Sequence, residues 1–591
     1  MSSSDLILLH APSVYDFRRE SILYGPISDL VPSTSVFEMY PIGFTTIAEY
    51  LERHGFRVRI ANLALRMLKD ERFDVERFLS RLNAAAFGID LHWLPHAHGG
   101  LEVARIVKRL HPNTPIIFGG FSSTYYHEEL VQRPEVDYVV RGDSTEGPVL
   151  ALMRYISSDG KARPSEDSSD GKKLATLPNV VWKDSEHQVH VNPLAPCPPD
   201  LDDLLFDYGY VLKAVMRYRD FSNFLPFRAF TRYPITAALS VRGCRYNCAT
   251  CGGSAYAFRK LHGRSKPSYR SPENLADDIR SVARFSRGPV FVLGDIRQAG
   301  DDYASRFLEA IHGHKKPVIL ELFNAAPPAF FKQVANALPN FTIEVSLESH
   351  DDKVRKAFGR PYNTEAIERT MAAALDAGCQ RLDVFFMVGL AEQTYQSVMD
   401  TIDYCAHLMQ KFDSPSDGRL IPFISPLAPF LDPGSRAFED PDKHGYRLRW
   451  RTLEEHRKAL AAPSWKYVLN YETAWMDRDE IVSSTYEAGM RLNRLKAEHG
   501  VIEAKLAEAT DKRIKRAIEL MHEVDRIMTV EKLAERKARL DDLRSDMQAV
   551  NLSTVCDKRE LELPMRGQRL RWLPAARLAV SELLKRNDSQ S

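Results

Sequence analysis

Long apolar runs are missing from this chain. No stretch approaches the roughly 18 apolar residues of a membrane-spanning helix, so no spanning segment is expected. Charge of one sign is missing too: 80 Lys and Arg stand against 79 Asp and Glu, a net charge of +1. That balance argues against a global electrostatic grip on nucleic acid, and no nucleic-acid partner is expected. Cysteine is scarce. Of seven in 591 residues, three fall between positions 244 and 251, which does not look like a disulfide framework. Exposed thiolate ligands need a reducing compartment. Met1 to Val14 holds too short an apolar stretch for a secretory signal, so a cytoplasmic protein is expected. The rest, 44% hydrophobic and 27% charged residues, is the composition of a folded soluble protein. The length predicts about three domains.

The clustered cysteines, Cys244, Cys248 and Cys251, follow an apolar run, Ile235 to Val241, on a glycine-flanked loop that ends in Gly252-Gly253. Thiolates suit iron–sulfur clusters and zinc. Close spacing lets one backbone wrap a metal centre without long-range loop closure. A closed zinc site or an ordinary cubane takes four protein ligands, and this loop offers three. The simplest reading is a 4Fe–4S cluster with one iron open to a non-protein ligand. The alternative is a zinc knuckle completed by a distant residue, His262 being the nearest downstream candidate.

The Cys-x3-Cys-x2-Cys spacing just after a strand resembles the radical S-adenosylmethionine (SAM) superfamily. Thr250 stands where that family usually has an aromatic residue. The resemblance implies that SAM chelates the open iron and is cleaved to a 5′-deoxyadenosyl radical, with an external electron donor such as flavodoxin or ferredoxin. Later segments extend the resemblance. Strands are expected at Val290 to Leu293, Val318 to Phe323, Thr342 to Ser349, Arg381 to Leu390 and Leu420 to Ile424, alternating with helices to make a six-strand partial barrel over residues 225–435. A helix from Pro272 to Arg284 opens at Ser271, whose side chain can cap it. Gly294-Asp295 stands where the family places acceptors for the SAM amino group. Alternation sends Glu344, Ser346 and Glu348 to one side of their strand; Glu348, then Ser346, match the family's SAM-binding positions. Arg360, with Arg355 in reserve, matches an arginine that pairs with the SAM carboxylate. Val388 and Gly389 match the turn that packs on adenine. Cys379 and Cys405 read as core, and Cys197 as structural.

Upstream, strands at Asp5 to His10, Phe56 to Ala61, Ala85 to Asp90, Ile116 to Gly119 and Val136 to Val140 alternate with helical patterns at Gly43 to His54 and Gly100 to Leu110. That order implies an α/β fold with a doubly wound parallel sheet, which binds ligands at its carboxyl edge. Gly119, Gly120, Ser122 and Ser123 lie at that edge, where glycines admit close backbone approach and hydroxyls can hold a phosphate or amide. The ordered set Tyr40-Pro41-Ile42-Gly43, Ala48-Glu49-Tyr50-Leu51, Gly119-Gly120 and Val136 to Gly142 resembles the cobalamin-binding domain that precedes many radical SAM domains, over about residues 5–155 of an N-terminal unit, 1–200. The Asp-x-His-x-x-Gly loop that carries a cobalt-ligating histidine is absent. The resemblance then implies cobalamin with no protein histidine on cobalt, or a domain that has lost the cofactor. His92, His96 and His98 either line a cofactor edge or are plain loop histidines.

Residues 156–175 read as a flexible surface insertion. Residues 436–591 read as a helical C-terminal unit, with helices at Leu453 to Leu460, Arg478 to His499 and Ile502 to Asn551 and an aromatic set, Trp450, Trp465, Tyr467, Tyr471, Trp475 and Tyr486, that packs or lines a substrate channel. The basic, amphipathic stretch Arg566 to Arg586 suits peripheral membrane contact or docking on protein. The chemistry expected is methylation of an unactivated carbon in a small molecule or lipid. A radical carbon–carbon bond formation, cyclisation or rearrangement, and a non-enzymatic metal module, are the alternatives.

Overall fold

The computed structural model describes residues 4–26, 30–158, 160, 163–205, 214–220, 222, 225–412, 418–426, 430–551 and 555–563. The first sheet begins with β1 (Ser4–His10), β2 (Val58–Asn62), β3 (Ala84–Asp90), β4 (Ile116–Gly119) and β5 (Tyr138–Val140), all paired in parallel. It ends in an antiparallel extension, β6 (Val180–Lys183) and β7 (Val189–Val191), that sequence patterning missed. Strand order is β2-β1-β3-β4-β5-β6-β7. The order reverses between β1 and β3, so their carboxyl ends open a crevice there. Apolar residues on both faces of β1 are buried, as a strand covered by helices on both sides requires.

The second sheet contains β8 (Thr236–Leu239). After it come a short pair, β9 (Val241–Arg242) and β10 (Ser268–Tyr269), and then β11 (Val290–Leu293), β12 (Val318–Leu322), β13 (Phe341–Glu348), β14 (Leu382–Val388) and β15 (Leu420–Pro426). The six strands run β15-β14-β13-β12-β11-β8, parallel throughout. On β13, Ile343, Val345 and Leu347 are buried against the outer helices, while Glu344 and Ser346 face the other side. Glu344 lies in register with Glu321 of β12 and Asp383 of β14. Burial, reinforced by Asp383 and Glu321, pushes the Glu344 carboxyl well above the usual range.

The helix Arg478–Glu498 packs on β14 and β15. Trp465, Tyr471 and Tyr486 are 3%, 0% and 1% exposed, so these members of the aromatic set pack the core. Three expectations need correction. The helix expected from Ile502 to Asn551 is three, Ala504–Met528, Leu533–Asp542 and Arg544–Val550. Ser271 occupies the N-cap position without a side-chain cap hydrogen bond; Pro272 follows, and the Ser271 amide instead donates to Asp202 at 2.8 Å. Part of the expected flexible insertion is helix, Ser169–Ala175, capped by Ser168. Cys379 and Cys405 are buried as expected. The stretch Arg566 to Arg586 lies outside the described residues. No described helix is long and apolar enough to cross a membrane.

Candidate functional site

The three cysteines sit on the loop that leaves β9. It bends at Gly243, whose φ of +96° favours glycine. All three thiols are half-buried. Burial pushes each thiol pKa up, so their protons would leave only as a metal centre takes the sulfurs. Backbone amides already face the sulfurs: Tyr246 N–H donates to Cys244 Sγ at 3.4 Å and Gly253 N–H to Cys251 Sγ at 3.3 Å. Among the described residues, the trio is not one of the ligand groups gathered within 4.8 Å. A single tetrahedral zinc would draw its sulfurs to about 3.8 Å, given Zn–S near 2.3 Å, closer than the trio as a whole stands here. His262 does not complete a zinc knuckle with them. It is 2% exposed and its ring packs against Phe121 and Phe258, at centroid distances of 4.9 and 5.3 Å.

Facing this loop are the carboxyl ends of the barrel strands. Glu348 ends β13 at a register shift with φ +69°, a region costly for a residue other than glycine. Its Oε1 accepts from Arg360 Nε at 3.0 Å and also from Nη2. Its Oε2 is buried with no hydrogen-bond partner. Burial opposes the Arg360 charge, but attraction to Glu348 raises its pKa. Cys244 and Cys248 both feel the Arg360 charge. An orphaned carboxylate oxygen beside a fixed guanidinium and three thiols fits a zwitterionic ligand carrying ammonium and carboxylate groups. Ser346 offers its carbonyl to the Tyr362 hydroxyl at 2.9 Å. Arg355 is 0% exposed and is bound to Ser349 O, Asp352 and Thr364.

The strand end at Gly294-Asp295 divides the two residues. Gly294, φ +87°, donates its N–H to Glu321 Oε2 at 3.1 Å. Asp295 is 1% exposed and is bound to Arg297 and to the amide of Phe323, so its carboxylate is spent within the protein. Glu321, which sequence reading passed over, presents a carboxylate beside this strand end. Burial pushes it up to about 7, with attraction to Arg360 acting the other way and Asp295 and Glu348 adding to the rise. Its only sequence signal was a lone acid among the apolar residues of Val318–Leu322. Gly389, φ +94°, is backed by Tyr471: a Cβ there would meet the Tyr471 hydroxyl at 2.4 Å, and that hydroxyl has no partner.

In the first sheet, an apolar cavity of about 380 Å³ opens at the carboxyl edge, within the size of ligand pockets. Leu6, Leu8, Ile117, Phe44 and Val149 line one part. Gly119, Gly120 and His92 line the edge, and Leu239 at the end of β8, Val241 and Arg242 of β9, and Gly243 after it close the far side. A Cβ on Gly120 would sit 2.4 Å from the His92 Cα, so bare backbone is required. Ser122 and Ser123 are buried and do not line this cavity; the Ser123 hydroxyl donates to Gly119 O at 3.1 Å. An apolar pocket ending in a glycine lip suits the tail of a larger cofactor whose body lies at the open edge.

Two buried ion pairs join the sheets beside the cavity, Glu146 with Arg242 and Asp143 with Arg264. Burial alone would raise the Glu146 pKa; Arg242 and a hydrogen bond from Thr46 bring it below the usual value. At the crevice between β1 and β3, Asp90 accepts from His10 Nδ1 at 3.0 Å and from His92 Nδ1 at 2.7 Å. Burial would raise the Asp90 pKa, but the two imidazoles hold it far below the carboxylate range. None of this cluster except His92 and His96 was singled out from sequence, because His10 and Asp90 end separate strands.

Comparison with known proteins gives two family matches: the B12 binding domain over residues 29–151 and the Radical SAM superfamily over residues 239–405. A segment of 185 residues is 25% identical to the anaerobic magnesium-protoporphyrin IX monomethyl ester cyclase of Synechocystis sp. and covers 31% of each chain. A segment of 286 residues is 21% identical to the cytidylyl-2-hydroxyethylphosphonate methyltransferase of Streptomyces wedmorensis, covering 42% of this chain and 51% of that one. The chain thus spans about a third and about half the length of these two relatives. Among solved structures, the radical SAM methyltransferase TsrM of Kitasatospora setae, with cobalamin and a [4Fe-4S] cluster bound, superposes with a TM-score of 0.55 at 15% identity, over 92% of this chain and 100% of that one. The cobalamin-dependent SAM radical enzyme OxsB, with aqua-cobalamin and SAM bound, gives 0.52 at 11% identity, over 93% and 72%. At these identities the likeness is one of fold.

Proposed function

We propose that this chain, which carries a B12-binding domain followed by a radical SAM domain, is a cobalamin-dependent methyltransferase acting on an unactivated carbon of a small-molecule or lipid substrate. The observation that carries the reading is the shared cavity: the glycine lip of the first sheet and the backbone leading to the three-thiol loop of the second line the same space. When bound, a 4Fe–4S cluster with SAM supplies a 5′-deoxyadenosyl radical and cobalamin supplies a methyl group. The protein's part is to hold and orient them. Cys244, Cys248 and Cys251 would hold the cluster. Glu348, with its free oxygen, would receive the SAM ammonium, and Arg360 would steer its carboxylate. Gly294 and Glu321 back that site, and the Gly389 turn would flank the adenine. Gly119 and Gly120 would admit the corrin edge, and the apolar slot behind them the cofactor's tail. The division into 1–200, 225–435 and 436–591, a cytoplasmic setting and an external reductant such as flavodoxin or ferredoxin belong to the same reading.

The test is anaerobic reconstitution. Iron and sulfide near four each per chain, bound cobalamin by its visible absorption, and reductant-dependent 5′-deoxyadenosine are expected; Cys248→Ala should lose iron, sulfide and 5′-deoxyadenosine while keeping cobalamin. Zinc without sulfide would end the proposal. A second reading, radical ring closure or carbon–carbon bond formation with cobalamin not used for methyl transfer, is favoured by the relative named as a cyclase. Mass spectrometry of metabolites and lipids from a deletion strain separates the two: a precursor lacking one methyl group supports methylation, and one of the same carbon count supports ring closure.

A further inference from the structure

We infer that His92, oriented by Asp90, is a protein ligand to the cobalt of cobalamin, an assignment that rests on cobalamin occupying the cavity described above. The missing Asp-x-His-x-x-Gly loop predicts the opposite. The fold nevertheless brings an Asp–His pair to the same sheet edge from a different strand, β3.

Four histidines surround this crevice, and three are already committed. His10 is 0% exposed and uses both ring nitrogens, Nδ1 toward Asp90 at 3.0 Å and Nε2 toward Phe37 O at 2.9 Å. Two acceptors on one ring make it an imidazolium, which has no lone pair to give a metal. His96 is 1% exposed and turns Nδ1 to Ala11 O at 3.1 Å. Its other nitrogen is enclosed against the rings of His10 and His92, at centroid distances of 4.8 and 4.9 Å. His98 Nδ1 accepts the amide of Tyr15 at 3.3 Å.

His92 differs in each respect. Its side chain is 30% exposed and lines the cavity. Its Nδ1 faces Asp90 Oδ2 at 2.7 Å. An Nδ1–H given to a carboxylate leaves the lone pair on Nε2, the arrangement that metal-ligating histidines adopt. Asp90 is itself anchored by His10, so the ring has little rotational freedom. Gly120 adds an independent constraint. Any side chain there would strike the His92 backbone, so the glycine lip and the histidine are built as one edge. In this arrangement His92, not the cofactor's own base, would supply the nitrogen that the cobalt meets.

The test reads cobalt directly. Full-length protein with ¹⁵N-labelled histidine is loaded anaerobically with cob(II)alamin, and bound cobalamin is first counted by absorbance after gel filtration. Electron paramagnetic resonance then reports the axial nitrogen. Each cobalt line is expected as a doublet from ¹⁵N, against a triplet in unlabelled protein, and His92→Ala should lose the doublet while still retaining cobalamin. A triplet persisting in labelled protein means the cofactor's own base is the ligand, and unsplit lines mean no nitrogen is; either result overturns the assignment while leaving cobalamin binding intact. A doublet that survives in His92→Ala overturns the choice of histidine. Failure to retain any cobalamin overturns the placement itself and the assignment with it.

Discussion

Glu348 concentrates several constraints in one residue. It is 1% exposed, has a left-handed φ, and keeps one oxygen unpaired while the other holds Arg360. Removing its charge strands a buried guanidinium, which costs about 3–5 kcal/mol. Glu348→Gln is therefore expected to lower the unfolding free energy by roughly that amount in chemical denaturation and to abolish SAM binding in equilibrium dialysis. Lysine at position 360 should not rescue the site, because a point charge cannot reproduce the two-nitrogen grip on Glu348. Glu321 gives a pH signature. Its folded pKa is raised, to about 7, so its contribution to stability is complete below the ordinary carboxyl range, near pH 4.3, and is lost as pH rises through about 7. Metal-free wild type should lose more thermal stability than Glu321→Gln between about pH 5 and about pH 8. Parallel slopes in the two proteins would remove Glu321 from the account.

At the level of elements, the strand ends matter more than the strands. The residues assigned above to cluster and SAM, and the glycine lip with His92, lie near the carboxyl ends of strands or in the segments that follow them, where backbone groups are not consumed by the ladder. The turn after β4 is the sharpest case. Gly120 has φ +116° and abuts the His92 backbone. Gly120→Ala is expected to destabilise the protein by more than about 1 kcal/mol and to weaken cobalamin binding about tenfold or more, equivalent to about 1.4 kcal/mol, measured by titration of absorbance. Unchanged affinity would mean that the lip does not touch the cofactor. The same logic explains the Asp295 outcome. The residue sits where the resemblance puts an ammonium acceptor, yet the short helical turn that follows brings Arg297 onto its carboxylate.

At the level of the molecule, two sheets with separate cores are joined across the cavity by buried charge. Glu146 and Arg242 are the firmest part of that joint. The Glu146 pKa is depressed, so the stability it confers is present above the ordinary glutamate value and is lost as pH falls below about 4.3. Glu146→Gln should lower the melting temperature at neutral pH and flatten the acid limb of the stability profile. It should also loosen cobalamin, because Glu146 and Arg242 both line the cavity. An unchanged acid limb would show that the pair carries no coupling between the sheets. The C-terminal helices serve the barrel from the opposite end: Lys496 pairs with Glu560, and Arg381 holds the Glu560 and Glu562 carbonyls.

Local order was legible in the chain itself. The alternation of short apolar runs with helical periods determined two parallel sheets. Three cysteines within eight positions located the loop proposed to hold the cluster, because ligands so close need only one turn of backbone. Glycines marked the turns where positive φ was required, at Gly120, Gly294 and Gly389. Tertiary structure alone decided which polar side chains remain available to a ligand. Asp295 and Ser123 were plausible by position but satisfy neighbours instead, while Glu321, His10 and Asp90 acquire their roles from partners many residues away. A buried polar group must find a partner wherever the fold puts one within reach, and that reach is set by the packing of strands that sequence spacing does not encode.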